Sequence, residues 1–402
     1  MSIWYRWSLK GDPYGLNPID ETSLDSFVGR QEEVIILRPE LIRNQSPIFI
    51  ESDSGMGSTS IGNYVRFNLL KNQSYFTPPS EITISYKHSP ESILLNLLSL
   101  LALSLEIKHP FVSRDQEYLK VKLALDDCSL KHTENFLTLR ESENRYIKSN
   151  LTFDDAQMYL DSLREITERL GYENGIFIQM KFDELINEDT GLAIIARFLC
   201  FLSDSFFTRG FKWLLIGDRG IHKAIATVCP DSLKISYASK VSPLKNEEVV
   251  EILERRKEKL SLSVKTKLPL GNDAVEYVYS NCQGKIKYAF EICSKLSLMM
   301  ANDLMITEMD RSTAQRLISQ LGANEIWNKD IGGLSLKILK TLVSENEASP
   351  VSIAKKLGTS QPNVSRALGR LMIKKLVNVK DSGNRRIYSP SLYVKGALEN
   401  GI

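Results

Sequence analysis

The chain has 402 residues, of which 43% are hydrophobic and 25% are charged. This is the composition of a globular protein of two or three domains, because single cores rarely grow beyond about 250–300 residues. The longest apolar run, residues 93–105, is shorter than the roughly 20 residues that span a bilayer, so we expect no membrane partner. The five cysteines are scattered and contain no CxxC pair, which predicts neither a zinc site nor a disulfide framework. We therefore expect a reduced, cytoplasmic protein without a metal site.

The charge is distributed unevenly along the chain. The formal net charge is only +2, yet from Asp330 onward there are 12 Lys/Arg against 5 Asp/Glu, which gives +7. The first 329 residues therefore carry −5. A basic C-terminal segment on a mildly acidic body indicates a nucleic-acid partner and places the contact at one end of the chain.

Residues 1–30 predict an extended lead-in with several Pro and Gly, and alternating helices and strands follow. The predicted elements are helix 32–43, strand 48–50, helix 61–70, strand 82–86, helix 89–105, helix 152–170, strand 175–180, helix 192–206 and strand 212–216. The polar residues 106–150 match neither pattern and receive no predicted element. Strands that alternate with helices favour a parallel α/β sheet, which we assign to a domain of residues 1–242.

The turn after the first strand resembles a phosphate-binding loop that lacks its lysine. The P-loop pattern is G-x-x-x-x-G-K-[ST]. Gly55 and Gly57 keep the tight turn, and Thr59 keeps the hydroxyl that binds magnesium. Ser52, however, stands at the first glycine position, and Ser58 replaces the lysine. We interpret Gly55, Gly57, Ser58 and Thr59 as a degenerate phosphate loop, which still attracts an anion through its N–H groups but lacks the charge that holds the β- and γ-phosphates.

Two registers are open for the acids that an ATPase carries at the end of a neighbouring strand. If the strand runs to Phe182, then Asp183 and Glu184 follow it as these acids. If the strand has the usual five or so residues, it ends near Met180, and Met180 and Lys181 occupy the acidic positions. The usual strand length favours the second register, in which both acids are lost.

After Pro243 the apolar spacing is helical only. The predicted helices are 245–260, 272–282, 285–300 and 304–321. We assign residues 243–328 to an all-α domain.

The C-terminal segment carries the most specific motif in the chain. The predicted elements are helices 334–344, 349–358 and 359–371 and a basic hairpin 377–388. Gly358 ends the second helix, and the third helix begins within three residues of it. A helix-turn-helix followed by a basic hairpin resembles a winged helix, which we assign to residues 329–402.

The third of these helices would enter the major groove with its N-terminal residues nearest the bases. The candidate DNA-binding residues are Ser360, Gln361, Asn363, Ser365, Arg366, Arg370, Lys380, Arg385 and Arg386. Gln, Asn and Arg suit base edges, whereas Arg370, Lys374 and the basic residues of the hairpin suit phosphates. Winged helices also serve as protein-docking modules, but the local charge of +7 favours double-stranded DNA as the partner.

At this point the body of the chain resembles the archaeal AAA+ ATPases of the origin-recognition initiator type. Phe27-Val-Gly-Arg-Gln-Glu-Glu33 is similar to a motif near the N-terminus of that family. Residues 243–256 are similar to the phrase that begins its helical lid, and residues 281–289 to the segment with its second sensor arginine, where Lys287 stands. The resemblance implies an AAA+-like α/β domain, an all-α lid and a C-terminal winged helix. It also implies self-association or a protein partner.

The departures from that family all fall on the nucleotide site, at Ser52 and Ser58, at Met180 and Lys181, and at Lys287. We therefore expect a DNA-binding protein on an AAA+-like scaffold whose ATPase activity is lost or greatly weakened, with no catalytic residue and no cofactor. By resemblance it would act in transcription control, replication initiation, or a mobile-element or defence system.

Two other hypotheses remain open. In the first, the chain is a functional ATP-binding switch with ATP and Mg as cofactors, and Lys181, Lys240 or Lys287 supplies the missing charge. In the second, it is a protein-interaction scaffold whose winged helix does not touch DNA.

Overall fold

The computed structural model describes residues 2–43, 47–72, 75–84, 89–127, 152–182, 199–200, 202, 209–228, 237–301, 308–328, 331–382 and 385–399. The chain divides into two compact units. One unit is Pro18–Ser242, and the other combines Met1–Asn17 with Pro243–Ile402. The sequence assigned residues 1–17 to the α/β domain, whereas their contacts lie with the helices that follow Pro243. The division of residues 243–402 into a lid and a winged helix stays a prediction.

The unit Pro18–Ser242 contains the following elements. Its strands are β1 Ile48–Ser52, β2 Ile82–Ile84, β3 Ile176–Phe182, β4 Phe211–Asp218 and β5 Tyr237–Lys240. Its helices are α1 Gln31–Arg43, α2 Ser58–Lys71, α3 Pro90–Lys108, α4 Gln116–Asp127, α5 Phe153–Arg169 and α6 Ile221–Val228, with short 3-10 turns at Glu21–Ser26 and Pro110–Arg114.

The five strands form one parallel sheet in the order β2-β3-β4-β1-β5. Strand β1 lies between β4 and β5, so that Phe49 is opposite both Leu215 and Ala238. The described helices pack on both sides of this sheet, as parallel pairing requires. This architecture confirms the predicted fold class of a parallel α/β sheet. It also places the turn after β1 at the carboxyl edge of the sheet, where such folds bind ligands.

Apolar side chains cover both faces of the sheet. On one face Phe49, Met180 and Trp213 pack with residues of α3, α4 and α5. On the other face Phe177 and Ile216 pack with residues of α1 and α2. Alternate residues of β3 therefore face α2, and the residues between them face α3 and α5.

Helix α3 is the one described helix long and apolar enough, by length and composition, to cross a membrane. Most of its apolar residues belong to the core of this sheet domain; Leu97, Leu98 and Leu101, for example, are fully buried. The helix begins at a favourable cap, because the Ser92 N–H donates to the Ser89 Oγ at 3.2 Å and Pro90 is the first helical residue.

Strand β3 is longer than the sequence predicted. It runs for seven residues to Phe182 rather than ending near Met180. Lys181 is opposite both Thr83 of β2 and Ile216 of β4, so hydrogen bonds on both sides extend the strand. The preference for the register that ends at Met180 was therefore wrong. Asp183 and Glu184, which follow Phe182 in the sequence, lie outside the described residues.

Residues 106–150, which received no predicted element, are partly helical. The end of α3, the turn Pro110–Arg114 and α4 account for residues up to 127. Tyr118 of α4 is buried, and its hydroxyl donates to the Ala102 carbonyl at 3.1 Å and to the Glu106 carboxylate at 2.9 Å. Residues 128–150 and most of the predicted helix 192–206 lie outside the described residues.

The unit that combines Met1–Asn17 with Pro243–Ile402 is helical apart from one hairpin in its described residues. Its helices are α7 Asn246–Leu260, α8 Asn272–Ser280, α9 Ile286–Ala301, α10 Arg311–Asn328, α11 Gly333–Glu345, α12 Pro350–Leu357, α13 Gln361–Ile373 and α14 Leu392–Glu399. The hairpin strands are β6 Val377–Ser382 and β7 Arg385–Pro390.

The N-terminal segment packs on α7 and α9 instead of leading into the sheet. Tyr14 is fully buried, with its ring 6.2 Å from that of Phe290, and its hydroxyl accepts the Leu270 N–H at 3.2 Å. The Arg256 guanidinium donates to the carbonyls of Pro13 and Gly15. These contacts between distant parts of the sequence explain why residues 1–17 belong to this unit.

The C-terminal elements have the order of a winged helix. Helix α12 is capped by Ser349 and ends at Gly358, whose φ of 62° is left-handed. Helix α13 begins three residues later, and the antiparallel hairpin β6-β7 follows it. Ala348 pairs with Tyr388 and joins the segment before α12 to β7. Helix α14 had no sequence prediction; it packs on α10, where Gly322 and Gly396 allow the two helices to approach closely.

Cys200 is disulfide-bonded, whereas Cys282 and Cys293 are free, buried thiols. The expectation of a fully reduced chain was therefore wrong at Cys200. Scattered cysteines give no spacing signal from which a pair could be predicted.

Candidate phosphate loop and nucleic-acid interface

The turn between β1 and α2 keeps the backbone of a phosphate loop. Gly55 and Gly57 have φ of 88° and 95°, which side chains rarely adopt. Helix α2 begins at Ser58, and the first of its bonds back into the loop joins the Ile61 N–H to the Gly57 carbonyl. The N–H groups at this helix N-terminus are oriented as an anion site requires.

Ser58, at the position of the missing lysine, is hydrogen-bonded to Ser52, at the position of the first glycine. The Ser52 Oγ donates to the Ser58 Oγ at 2.9 Å, and Ser52 is buried. Thr59, in the magnesium-ligand position, is also largely buried. The loop therefore fits a phosphate held by backbone N–H groups, but it offers no lysine ammonium of its own to the β- and γ-phosphates.

Two arginines that sequence reasoning did not select flank the loop. Arg30 is buried, and one of its Nη atoms donates to the Met56 carbonyl at 2.8 Å. Arg219 follows β4, and its Nε lies 3.3 Å from the Asp53 Oδ1. Both are distant from the loop in the sequence. The pairing of β1 with β4 brings Arg219 to the loop, and Arg30 reaches it from the residue before α1. They position the loop and compensate Asp53.

The candidate lysine donors have different positions. Lys181 lies in β3 on the face toward α2, and the exposed Lys240 ends β5 opposite Glu51. Lys287 belongs to α9 in the other unit. At the carboxyl edge of the sheet, Ser52 is opposite Asp218, a carboxylate that sequence reasoning missed.

The predicted DNA-binding side chains of α13 are exposed. Ser360, Gln361, Asn363, Ser365, Arg366 and Arg370 are all exposed, while Val364, Ala367, Leu368 and Leu371 of the same helix are buried. The helix therefore presents a polar face to solvent and packs its apolar face on α11 and α12.

The exposed residues of α13 fall on two flanks. At about 100° per residue, Asn363 and Arg370 share one flank, and the half-buried Lys374 continues it just after the helix; Arg366 lies between that flank and the outward face. Gln361 and Ser365 lie on the opposite flank. The Arg366 guanidinium donates to the Asn363 Oδ1 at 2.6 Å, so these two side chains form a pair.

The hairpin contributes fewer described side chains than α13. Lys380 and Arg386 are exposed on β6 and β7. The side chain of Arg385 lies outside the described residues, although its backbone pairs with Ser382.

No protein-family model matches the sequence, and the comparison with curated proteins found no match. Solved structures to which this chain is similar include the Aeropyrum pernix Orc1 protein in complex with DNA, which is 12% identical with a TM-score of 0.47; the match covers 98% of this chain and 96% of that one. The Cdc6p of Pyrobaculum aerophilum is 12% identical with a TM-score of 0.43 and covers 95% and 99%. The ADP form of the A. pernix ORC2 protein is 14% identical with a TM-score of 0.44 and covers 93% and 94%.

Proposed function

We propose that this chain binds double-stranded DNA through α13 and the hairpin β6-β7, on an AAA+-like scaffold with weakened or lost ATPase activity. The observation that carries the proposal is the face of α13. Its buried residues are apolar, while its exposed residues include amides, hydroxyls and guanidinium groups in the helix that follows the turn. A helix of this kind inserts into the major groove.

The two flanks of α13 would contact different parts of the DNA. Gln361 and Ser365, near the helix N-terminus, are suited to base edges. Arg370 and Lys374 lie farther along the helix on the other flank and are suited to phosphates. Lys380 and Arg386 would extend the phosphate contacts along the hairpin. The affinity would therefore be strongly dependent on salt.

The first test compares two double variants of the full chain on a mixed-sequence duplex. Arg366→Ala with Arg386→Ala removes two cations from the proposed surface, and we expect affinity to fall about tenfold or more. The control, Lys71→Ala with Lys223→Ala, removes the same charge from exposed positions of the α/β unit and should leave binding near the wild-type value. Equal losses in the two double variants would show that the contact is not at the winged helix.

One observation favours the alternative function, an ATP-binding switch. Strand β3 reaches Phe182, so the sequence Asp183-Glu184 follows the strand directly, as the acids of an ATPase do. If ATP and Mg bind, the N–H groups at the start of α2 would hold phosphates and Thr59 would provide the hydroxyl. The bound metal would supply the charge compensation that the loop lacks. If the chain binds ATP and hydrolyses it above background in a magnesium-dependent manner, the ATP-binding switch is favoured over a scaffold with weakened or lost ATPase activity.

We also propose that the protein associates with itself or with a protein partner, and that it acts in transcription control, replication initiation, or a mobile-element or defence system. These proposals rest on the resemblance of its motifs to origin-recognition initiators. Sedimentation of the purified chain with and without duplex DNA measures the first of them directly.

A further inference from the structure

A groove of about 400 Å³ lies between the N-terminus of α11 and one flank of α13. Arg366 and Arg370 of α13 line it together with Lys374, which follows the last residue of that helix, and Gly332, Gly333 and Ser335 line the other side. None of the described residues that line it is acidic. Among the described lining residues, the groove therefore combines three cations with a helix N-terminus and no carboxylate.

The α11 side of the groove is open to close approach. Gly332 and Gly333 carry no side chain, and a Cβ placed on either would meet nothing within 4 Å. The first intrahelical bond joins the Leu336 N–H to the Gly332 carbonyl, so the N–H groups of residues 333–335 precede the helical ladder. The first turn of α11 contains no acid, and its cap residue has no side chain that could accept from these groups.

The positive end of the α11 dipole and the guanidinium of Arg370 thus converge on one space from two helices. A tetrahedral anion with several acceptor oxygens satisfies both. The same flank of α13 would run along the DNA backbone if the helix enters the major groove. We propose that this groove binds one phosphodiester of duplex DNA and fixes the position of α13 on the backbone. This inference rests on the proposed DNA-binding function.

The decisive variant is Ser335→Asp. A carboxylate in the first turn of α11 is favourable for the helix, so the fold should be as stable as the wild type or slightly more stable. The same carboxylate would occupy the anion position and repel a phosphate. The control Lys340→Ala changes the net charge equally, at an exposed position of the same helix outside the groove.

The measurement is the affinity of the full chain for a mixed-sequence duplex at 50 and 200 mM salt. Loss of one phosphate contact lowers the salt slope by about 0.9, so the fall in affinity between these concentrations should shrink about 3.5-fold in Ser335→Asp. Arg370→Ala should have a much smaller effect in the Ser335→Asp background than alone, because both changes remove the same contact.

The outcomes separate the two proposals. If the wild type binds the duplex and Ser335→Asp keeps the affinity and slope of Lys340→Ala, the groove does not bind phosphate while the DNA-binding function stands. If the wild type binds no duplex at either salt concentration, the proposed function is wrong, and the groove proposal with it. If inorganic phosphate binds in a Ser335→Asp-sensitive manner and the duplex does not displace it, the groove is a small-anion site, and its assignment to DNA is wrong.

Discussion

Restoring the missing lysine with Ser58→Lys tests why nucleotide binding should be weak. Ser58 is the first residue of α2, and its Oγ accepts a hydrogen bond from Ser52 at 2.9 Å. A lysine here would place an ammonium group where a P-loop carries one. We expect Ser58→Lys to bind MgATP more tightly than the wild type.

The expected gain follows from the bonds exchanged. A hydrogen bond to a charged group contributes about 1.5–3 kcal/mol, which corresponds to about 10- to 150-fold in affinity. The variant loses the neutral Ser52–Ser58 bond, which contributes about 0.5–1.5 kcal/mol to the stability of the fold. Replacing Ser52 by Gly in the same chain removes the hydroxyl left without its partner and restores the first glycine of the motif.

Isothermal titration with ATP and magnesium measures the affinity directly. The control Ser58→Met has a long, uncharged side chain, so it separates the charge from the loss of the serine pair. Equal affinities for Ser58→Lys and Ser58→Met would show that the lysine is not what this loop lacks. A wild type that already binds as tightly as Ser58→Lys would show that another group supplies the charge.

Two further predictions concern stability. Burial lowers the pKa of Lys212 to about 8 from 10.5. Between these pH values the unfolded chain therefore binds one more proton than the folded chain, so the free energy of unfolding should rise with pH. Lys212→Met should lack this rise. At pH 7 its free energy of unfolding, measured by denaturant titration, should exceed that of the wild type by at most about 3 kcal/mol. A Cβ at Gly322 of α10 would lie 1.9 Å from the Tyr393 carbonyl oxygen, whereas one at Gly369 of α13 would meet nothing within 4 Å. Gly322→Ala should therefore lower the free energy of unfolding by about 3 kcal/mol or more, while Gly369→Ala should raise it by about 0.5–1 kcal/mol. Equal melting temperatures for these two variants would refute the close packing of α10 on α14.

The parts of the fold that could be predicted from the sequence are those whose signals are local. Gly55 and Gly57 marked the turn after β1 because their left-handed backbone favours glycine. Ser349 and Gly358 marked the ends of α12 because capping acts within a few residues. The alternation of strands and helices sufficed for the parallel sheet.

The errors arose where distant residues decide the structure. The length of β3 depends on β2 and β4, since Lys181 stays in the strand because Thr83 and Ile216 pair with it. The place of residues 1–17 depends on the burial of Tyr14 against Phe290, some 280 residues away along the chain. Average strand length and local composition contain neither fact.

The candidate sites show the same division. The exposed residues of α13 could be predicted from helical periodicity, because one face of the helix packs on the core and the opposite face is exposed. Arg219 at the phosphate loop and the α11 side of the groove had no local signal, since each is brought into place by an element distant in the sequence.

The central claim is that the chain binds duplex DNA through the basic surface of α13 and the hairpin β6-β7. The most direct measurement is the dissociation constant of the full chain on a mixed-sequence duplex at 50 and 200 mM salt. The cations of the proposed surface with described side chains are Arg366, Arg370, Lys374, Lys380 and Arg386. If each of them neutralises one phosphate, the slope of log affinity against log salt is about −4.5, and affinity falls about 500-fold between the two concentrations. Absence of binding at 50 mM salt, or binding that does not change with salt, would contradict the account.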